Sequence, residues 1–172
     1  MAILTHDEII GRVRAGEIEI EPFDERFIGP ASLDLHLANQ FRVFKRVRDV
    51  FHVTESADYE DVTEVIEVHE GDYFVLMPGE TAHGITRERI RLPETLCGWL
   101  QGRSRFARLG LMVHMTASFM QPGIDNKQAL EINNAGPMPL ALRPGIAICQ
   151  FIFEECVGRA RYEGRYRTQR AP

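Results

Sequence analysis

From position 33 to position 153 the apolar residues come in short runs, and glycine and proline cut the runs apart. Leu33, Leu35 and Leu37 alternate with Asp34 and His36, which marks one buried and one outward face. Further runs lie at 41–43, 65–68, 73–77, 96–100, 111–113, 129–132, 140–142 and 146–153. Between them stand Pro78-Gly79, His83-Gly84, Leu92-Pro93, Pro122-Gly123, Gly136-Pro137 and Pro144-Gly145. Brief apolar runs with this punctuation read as strands joined by tight turns, and many of them make a sandwich or barrel. Val50, Phe51 and Val53 are read as one more short strand, and the acidic 54–61 stretch as an exposed loop. The 146–153 run is apolar on both faces except at Gln150, so it should be covered from two sides, in the core or by a neighbouring subunit.

Only the N-terminus carries a helix signature. Thr5-His6-Asp7-Glu8 fits a capping box, Ile9, Ile10 and Val13 share a side, and Gly16 supplies the stop, which predicts a helix over about 6–15. Glu17-Ile18-Glu19-Ile20 then alternates like a half-buried strand that Pro22 ends. With 172 residues and neither repeat nor linker, the chain is expected to be one domain, 1–172, with 158–172 as a tail.

Charge and cysteine content narrow the functional classes. A net charge of -5 does not suit a general nucleic-acid binder, and no apolar run approaches the ~18 residues that span a bilayer. Cys97, Cys149 and Cys156 form no CxxC and are odd in number, so reduced thiols and a cytoplasmic location are expected. The charges are unevenly placed: 54–72 is acidic with no Lys or Arg, whereas 159–170 holds five Arg and one Glu.

The densest chemistry lies at Gly102-Arg103-Ser104-Arg105-Phe106-Ala107-Arg108-Leu109-Gly110, directly after the apolar 96–100 run. Guanidinium forks grip phosphate through two oxygens, and bounding glycines let backbone N–H groups approach an anion. Farther on, Ala129-Leu130-Glu131-Ile132 sets one carboxylate among apolar neighbours, where desolvation would raise its pKa toward the range of a proton shuttle. The six histidines show no HxH or HExxH spacing, and neither a Walker loop nor a zinc-deaminase signature is present, so no protein-bound zinc or other metal is expected.

Together these stretches resemble the dCTP deaminase branch of the dUTPase-like superfamily. The likeness runs through Gly29-Pro30-Ala31-Ser32-Leu33-Asp34-Leu35, Gly102-Arg103-Ser104, Ala107-Arg108-Leu109-Gly110-Leu111-Met112-Val113-His114, Thr116-Ala117, Leu130-Glu131, Ile148-Cys149-Gln150 and Arg165-Tyr166-Arg167-Thr168-Gln169. It implies an all-β fold, a distorted jelly-roll or β-clip barrel with one short N-terminal helix, assembled as a homotrimer with sites between subunits. It also implies zinc-independent hydrolysis of dCTP to dUTP and ammonia, in pyrimidine deoxynucleotide metabolism, with dTTP as a feedback inhibitor. By motif position Glu131 is the acid/base residue, Ser104 and Arg108 support the water and the intermediate, and Ala117 gives its carbonyl to the water. Arg103, Arg105, Phe106, Ala107 and Gln121 would line the nucleotide, Ala129 and Leu130 would flank the base edge, and Tyr162, Arg165 and Gln169 would close over a triphosphate carrying Mg²⁺.

The chain departs from the family pattern where Asp normally precedes Pro-Gly. Gln121 stands there, and in the dUTPase-type members that Asp drives pyrophosphate release, so little dUTPase activity is expected. Ile124-Asp125-Asn126, Arg105 and Phe119 are further departures, and the tail is shorter than the family's. A dUTPase, a bifunctional deaminase-diphosphatase and a non-catalytic nucleotide-binding regulator are the alternatives on the same fold.

Overall fold

A computed structural model describes residues 2–46 and 48–172. Helix α1 spans His6–Arg14 and buries Ile9 and Ile10. Thr5 is its N-cap residue but makes no side-chain cap. The expected capping box is absent because Glu8 turns along the helix to Arg12 (2.7 Å), the favoured i,i+4 pairing, and that guanidinium also holds Glu155. Gly16 ends the turn at φ +73°, where a side chain would be strained.

Eleven strands follow among the described residues: β1 (Glu19–Glu21), β2 (Leu33–Phe44), β3 (Thr63–Glu67), β4 (Phe74–Leu76), β5 (Thr81–Arg91), β6 (Leu96–Gly102), β7 (Leu111–Val113), β8 (Phe119–Met120), β9 (Asp125–Asn134), β10 (Leu140–Leu142) and β11 (Ala147–Glu155). Antiparallel pairing runs β7-β9-β5-β2-β11-β6-β8, with β1 added to β5 and β3 to β2, and β4 pairs β10. The all-β reading therefore holds. Some of the short pieces that the sequence suggested merge into longer strands, β2 and β5, each broken in register between Leu37 and Phe41 and between Ile85 and Arg89. Such bulges bend a strand and let it serve two faces of a curled sheet, as β2 does by pairing β11 at one end and β3 and β5 at the other.

One core lies inside the curl. Leu33, Leu35 and Leu37 are all at most 2% exposed, facing Phe151, Phe153, Leu96 and Leu100. Burying each such leucine contributes about 1.5–3 kcal/mol, which fixes the register of β2. Strand β11 sits between β2 and β6, and Ile148, Cys149, Phe151 and Phe153 are fully buried while Gln150 and Ile152 are half-buried. The thiols of Cys97 and Cys149 are buried, Cys156 is half-buried, and all three are free.

Two expectations fail locally. Val50, Phe51 and Val53 form no strand and are exposed, because no described strand lies beside them to pair with. His36 does not face outward: it is buried against Phe27 and held by Glu88, with Nδ1 2.7 Å from Oε1. The arginine stretch forms a one-turn helix, α2 (Ser104–Ala107). Its exit depends on Gly110 at φ +86°, where a Cβ would lie 2.5 Å from the Gly136 backbone.

Candidate active site

Strand β9 carries the carboxylate that the sequence singled out. Its residues alternate strictly, with Leu130 and Ile132 in the core and Ala129 and Glu131 on the opposite, half-buried face. Antiparallel pairing with β5 sets His83 directly across from Glu131. Beyond β7 the chain turns sharply at His114, whose φ of +59° is unusual for a residue with a side chain. This turn lets the His114 N–H donate to the Glu131 carbonyl (2.7 Å) and swings the imidazole beneath the Glu131 carboxylate.

The resulting pocket holds about 420 Å³. Glu131, His114, His83, Ala117, Phe119 and Gln121 all line it. Asn126, Gln128 and Ala129 line the β9 side, and Tyr59, Tyr162, Tyr166 and Gln169 form the rim. The mixture of aromatic rims and a few converging polar groups suits a small ring-bearing ligand. The polar groups are held in a chain: Gln128 Nε2 donates to Asn126 Oδ1 (2.7 Å), and Asn126 Nδ2 donates to the Tyr166 carbonyl (2.7 Å). The tail is thereby tied to the pocket wall, helped by the Lys127 N–H on the Gln169 carbonyl (3.0 Å) and the Tyr162 N–H on the Pro122 carbonyl (2.9 Å).

The electrostatics reverse the expected direction for Glu131. Burial by itself pushes the carboxyl up, but the His114 ring, a backbone hydrogen bond and His83 together outweigh it, and the net shift is downward. Glu131 therefore favours the carboxylate, the form able to accept a proton from water. Burial pushes His83 below the usual histidine range, against the pull of Glu131 and with Arg42 adding to the drop.

Ala117, Gln121, Ala129, Glu131, Tyr162 and Gln169 are thus brought to one pocket. Leu130 is fully buried, so only its backbone is near the pocket face. Arg103, Ser104 and Arg105 line a second, separate cleft with Asp34 and Gln150 that shares no lining residue with the first. There Arg103 pairs with Asp34 (3.1 Å) and donates to the Ala147 carbonyl (3.1 Å). Phe106 packs against the core, while Ala107 and Arg108 are exposed on α2 and the residue after it. Arg165 is outside the pocket: its guanidinium is 2.8 Å from Asp58 and lies over the rings of Tyr59 and Tyr166. Sequence reasoning missed His83, His114, Tyr59, Asn126 and Gln128. Histidines were weighed only as metal ligands, and the β5–β9 register that joins His83 to Glu131 spans a separation no local pattern reveals. Among the described residues no three His, Cys, Asp or Glu side chains are grouped as a metal ion would require, and no helix is long and apolar enough to cross a membrane.

A family model described as dCTP deaminase-like matches residues 3–156. The dCTP deaminase, dUMP-forming, of Parafrankia sp. (strain EAN1pec) is 38% identical over 177 residues, covering 99% of this chain and 88% of that protein. The protein of the same name from Methanobrevibacter smithii is 40% identical over 158 residues, covering 90% of this chain and 80% of that protein. In fold, the crystal structure of 2'-deoxycytidine 5'-triphosphate deaminase from Agrobacterium tumefaciens superposes with a TM-score of 0.69 at 21% identity, over 90% of this chain and 48% of that one, so the chain spans about half the length of that neighbour. With the family match running from the first β-bridge to the end of β11, and relatives this similar along almost its whole length, the chain belongs to the dCTP deaminase-like family.

Proposed function

We propose that this chain is a hydrolase that deaminates dCTP, with Glu131 as its acid/base residue. One observation carries the reading: Glu131 is the carboxylate of the 420 Å³ pocket, ionised by its surroundings, in a chain whose relatives are named dCTP deaminases. A water held between Glu131 and the Ala117 carbonyl gives a proton to the carboxylate and attacks C4 of the cytosine. Glu131 delivers that proton to N3 and then carries the proton of the new C4 hydroxyl to the amino group, so the C4–N bond breaks with release of ammonia and the hydroxyl oxygen is left as the C4 carbonyl. Gln128 and the Ala129 backbone flank the ring edge, and Tyr162 and Gln169 limit water entry from the rim.

Ser104 and Arg108 enter this reading from a neighbouring copy. Their cleft and exposed helix are separate from the Glu131 pocket within one chain, and Leu109, Met112 and Met115 around them are 48%, 46% and 40% exposed. A homotrimer joins the two halves, with Arg103 and Arg105 near the phosphates and Arg108 compensating charge on the intermediate. Mg²⁺ would come with the substrate phosphates beside Arg103 and Arg105 and offset their charge, which would ask for no carboxylate cluster in the protein. dTTP is a candidate inhibitor of the same pocket. The three free thiols and the nucleotide substrate both fit the cytoplasm.

The relatives' names shift the end product from the expected dUTP to dUMP, which this reading adopts. Gln121 favours a second feature, because an amide cannot serve as the base of diphosphate release. Deamination should therefore outrun that step and dUTP should accumulate first. The test is chromatography of dCTP incubated with the protein and Mg²⁺: ammonia with dUTP and then dUMP is expected. Glu131→Gln should lower deamination about 10³-fold, and equal turnover by that variant would overturn the reading.

A further inference from the structure

The pocket holds one buried group that the deamination scheme leaves unused. The His114 side chain is only 4% exposed and lies between the two groups assigned to the water. Its Nε2 is 2.7 Å from the Ala117 carbonyl oxygen. A carbonyl can only accept, so Nε2 carries a proton and donates it. Its Nδ1 is 3.0 Å from Glu131 Oε2. Those two atoms are sealed from solvent, are not aligned on a hydrogen-bond axis, and have no other partner. With Nε2 already protonated, a bare Nδ1 would sit 3.0 Å from a carboxylate oxygen with no proton between two electron-rich atoms, and the two would repel. A single proton between them removes the repulsion and gives both buried atoms a partner.

We infer that His114 is a positioning residue that shares one proton with Glu131 and locks the Glu131 carboxylate and the Ala117 carbonyl into one rigid water-holding unit. The inference rests on the deaminase reading for its catalytic meaning, though not for the shared proton itself. Oε2 is committed to the imidazole, so Oε1 is left to take the proton from water. After burial, which acts the other way, the hydrogen bond to His114 is the largest cause of the downward shift of the Glu131 pKa. The strained backbone at His114 is a further sign, since φ +59° persists only where the surroundings hold it. The other titratable or charged groups near the pair are His83 on β5, Lys127 on β9, Tyr59, Tyr162 and Tyr166 on the rim, and Arg42 from β2. Among these, only His83 faces Glu131 across the strand ladder.

Two measurements test this, and they fail separately. Asparagine tolerates the left-handed backbone at position 114 but reaches only one of the two partners and cannot be cationic. His114→Asn should lower kcat about 10²-fold, the scale of a misplaced reacting group, with KM changed less than about twofold. The acid limb of its pH–rate profile should move up toward an ordinary carboxylate. Unchanged kcat and an unchanged limb would overturn the positioning role. The second measurement uses no nucleotide: imidazole ¹⁵N spectra of the unliganded protein at neutral pH. His114 Nδ1 should show a shared or bound proton in the wild type and a bare acceptor in Glu131→Gln. A bare Nδ1 in the wild type would overturn the inference whether or not His114→Asn folds. A protein that shares the proton yet leaves dCTP unchanged would instead sink the deaminase reading alone.

Discussion

Two regions carry the residues assigned to chemistry, and they are finished to different degrees within one chain. Around Glu131 the groups are set in place by the chain's own elements: β5 and β9 fix the backbone, His114 lies beneath the carboxylate, and the tail is bonded to the pocket wall. On α2 the opposite holds, with Ser104, Arg105 and Arg108 exposed at the surface. Arg105 and Arg108 are exposed beside exposed Leu109 and Met112, and no carboxylate holds either among the described ion pairs. The contrast teaches that the carboxylate half is built by the fold, whereas the cationic half is presented outward, as the proposed site between copies requires.

Arg108→Ala probes that contrast most strongly. Turnover of dCTP should fall about 10²- to 10³-fold, as when one charge-stabilising donor is removed. The unfolding temperature should stay put, because an exposed guanidinium contributes little to stability. A large loss of stability would place Arg108 in the fold rather than in the site.

The acidity of Glu131 sharpens the other half of the comparison. Its lowered pKa means the base form survives to more acidic pH, so the acid limb of kcat/KM should lie below the ordinary glutamate value of about 4.3. The sign for stability follows: a carboxylate with a depressed folded pKa contributes above its unfolded pKa and loses that contribution as pH falls through the folded one. The stability difference between wild type and Glu131→Gln should therefore shrink with acidification. An acid limb above the ordinary glutamate value would contradict the His114 contact.

The smallest effect concerns the tail. Asp58 is held low by the Glu60 backbone N–H and by Arg165, and that ion pair ties the Arg-rich tail to the acidic loop. Arg42 on the Pro172 carbonyl (3.0 Å) adds a second tie. Asp58→Asn should raise KM for dCTP no more than about threefold, an effect that added salt should mimic in the wild type. A KM unchanged by either would mean the tail is held without the ion pair.

Local signals made the strands legible, and non-local ones hid the rest. The alternation of Leu33, Leu35 and Leu37 and the left-handed glycines 16, 79, 123 and 145 were visible because each depends on its immediate neighbours. The length of β2 and β5 was not, since bulges interrupt the period that identifies a strand. Glu131 could be picked out by its apolar flanks, but those flanks suggested a raised pKa. The direction reversed because burial, the largest single influence, is outweighed by His114, brought in by a turn rather than by spacing, together with a backbone hydrogen bond and His83. His36 looked solvent-facing by parity and was buried by Glu88, a partner 52 residues away. The charge asymmetry between the acidic loop and the Arg tail was plain in the sequence, yet only the fold joins the two, through Asp58 and Arg165.

Mixing Glu131→Gln protein with Arg108→Ala protein, after subunit exchange, addresses the shared site directly. Each variant alone should be nearly inactive on dCTP. In mixed assemblies some sites receive an intact Glu131 from one copy and an intact Arg108 from another, so activity should return well above the sum of the two. Activity that never exceeds that sum, with exchange confirmed by mass spectrometry of the intact assembly, would contradict a site divided between copies.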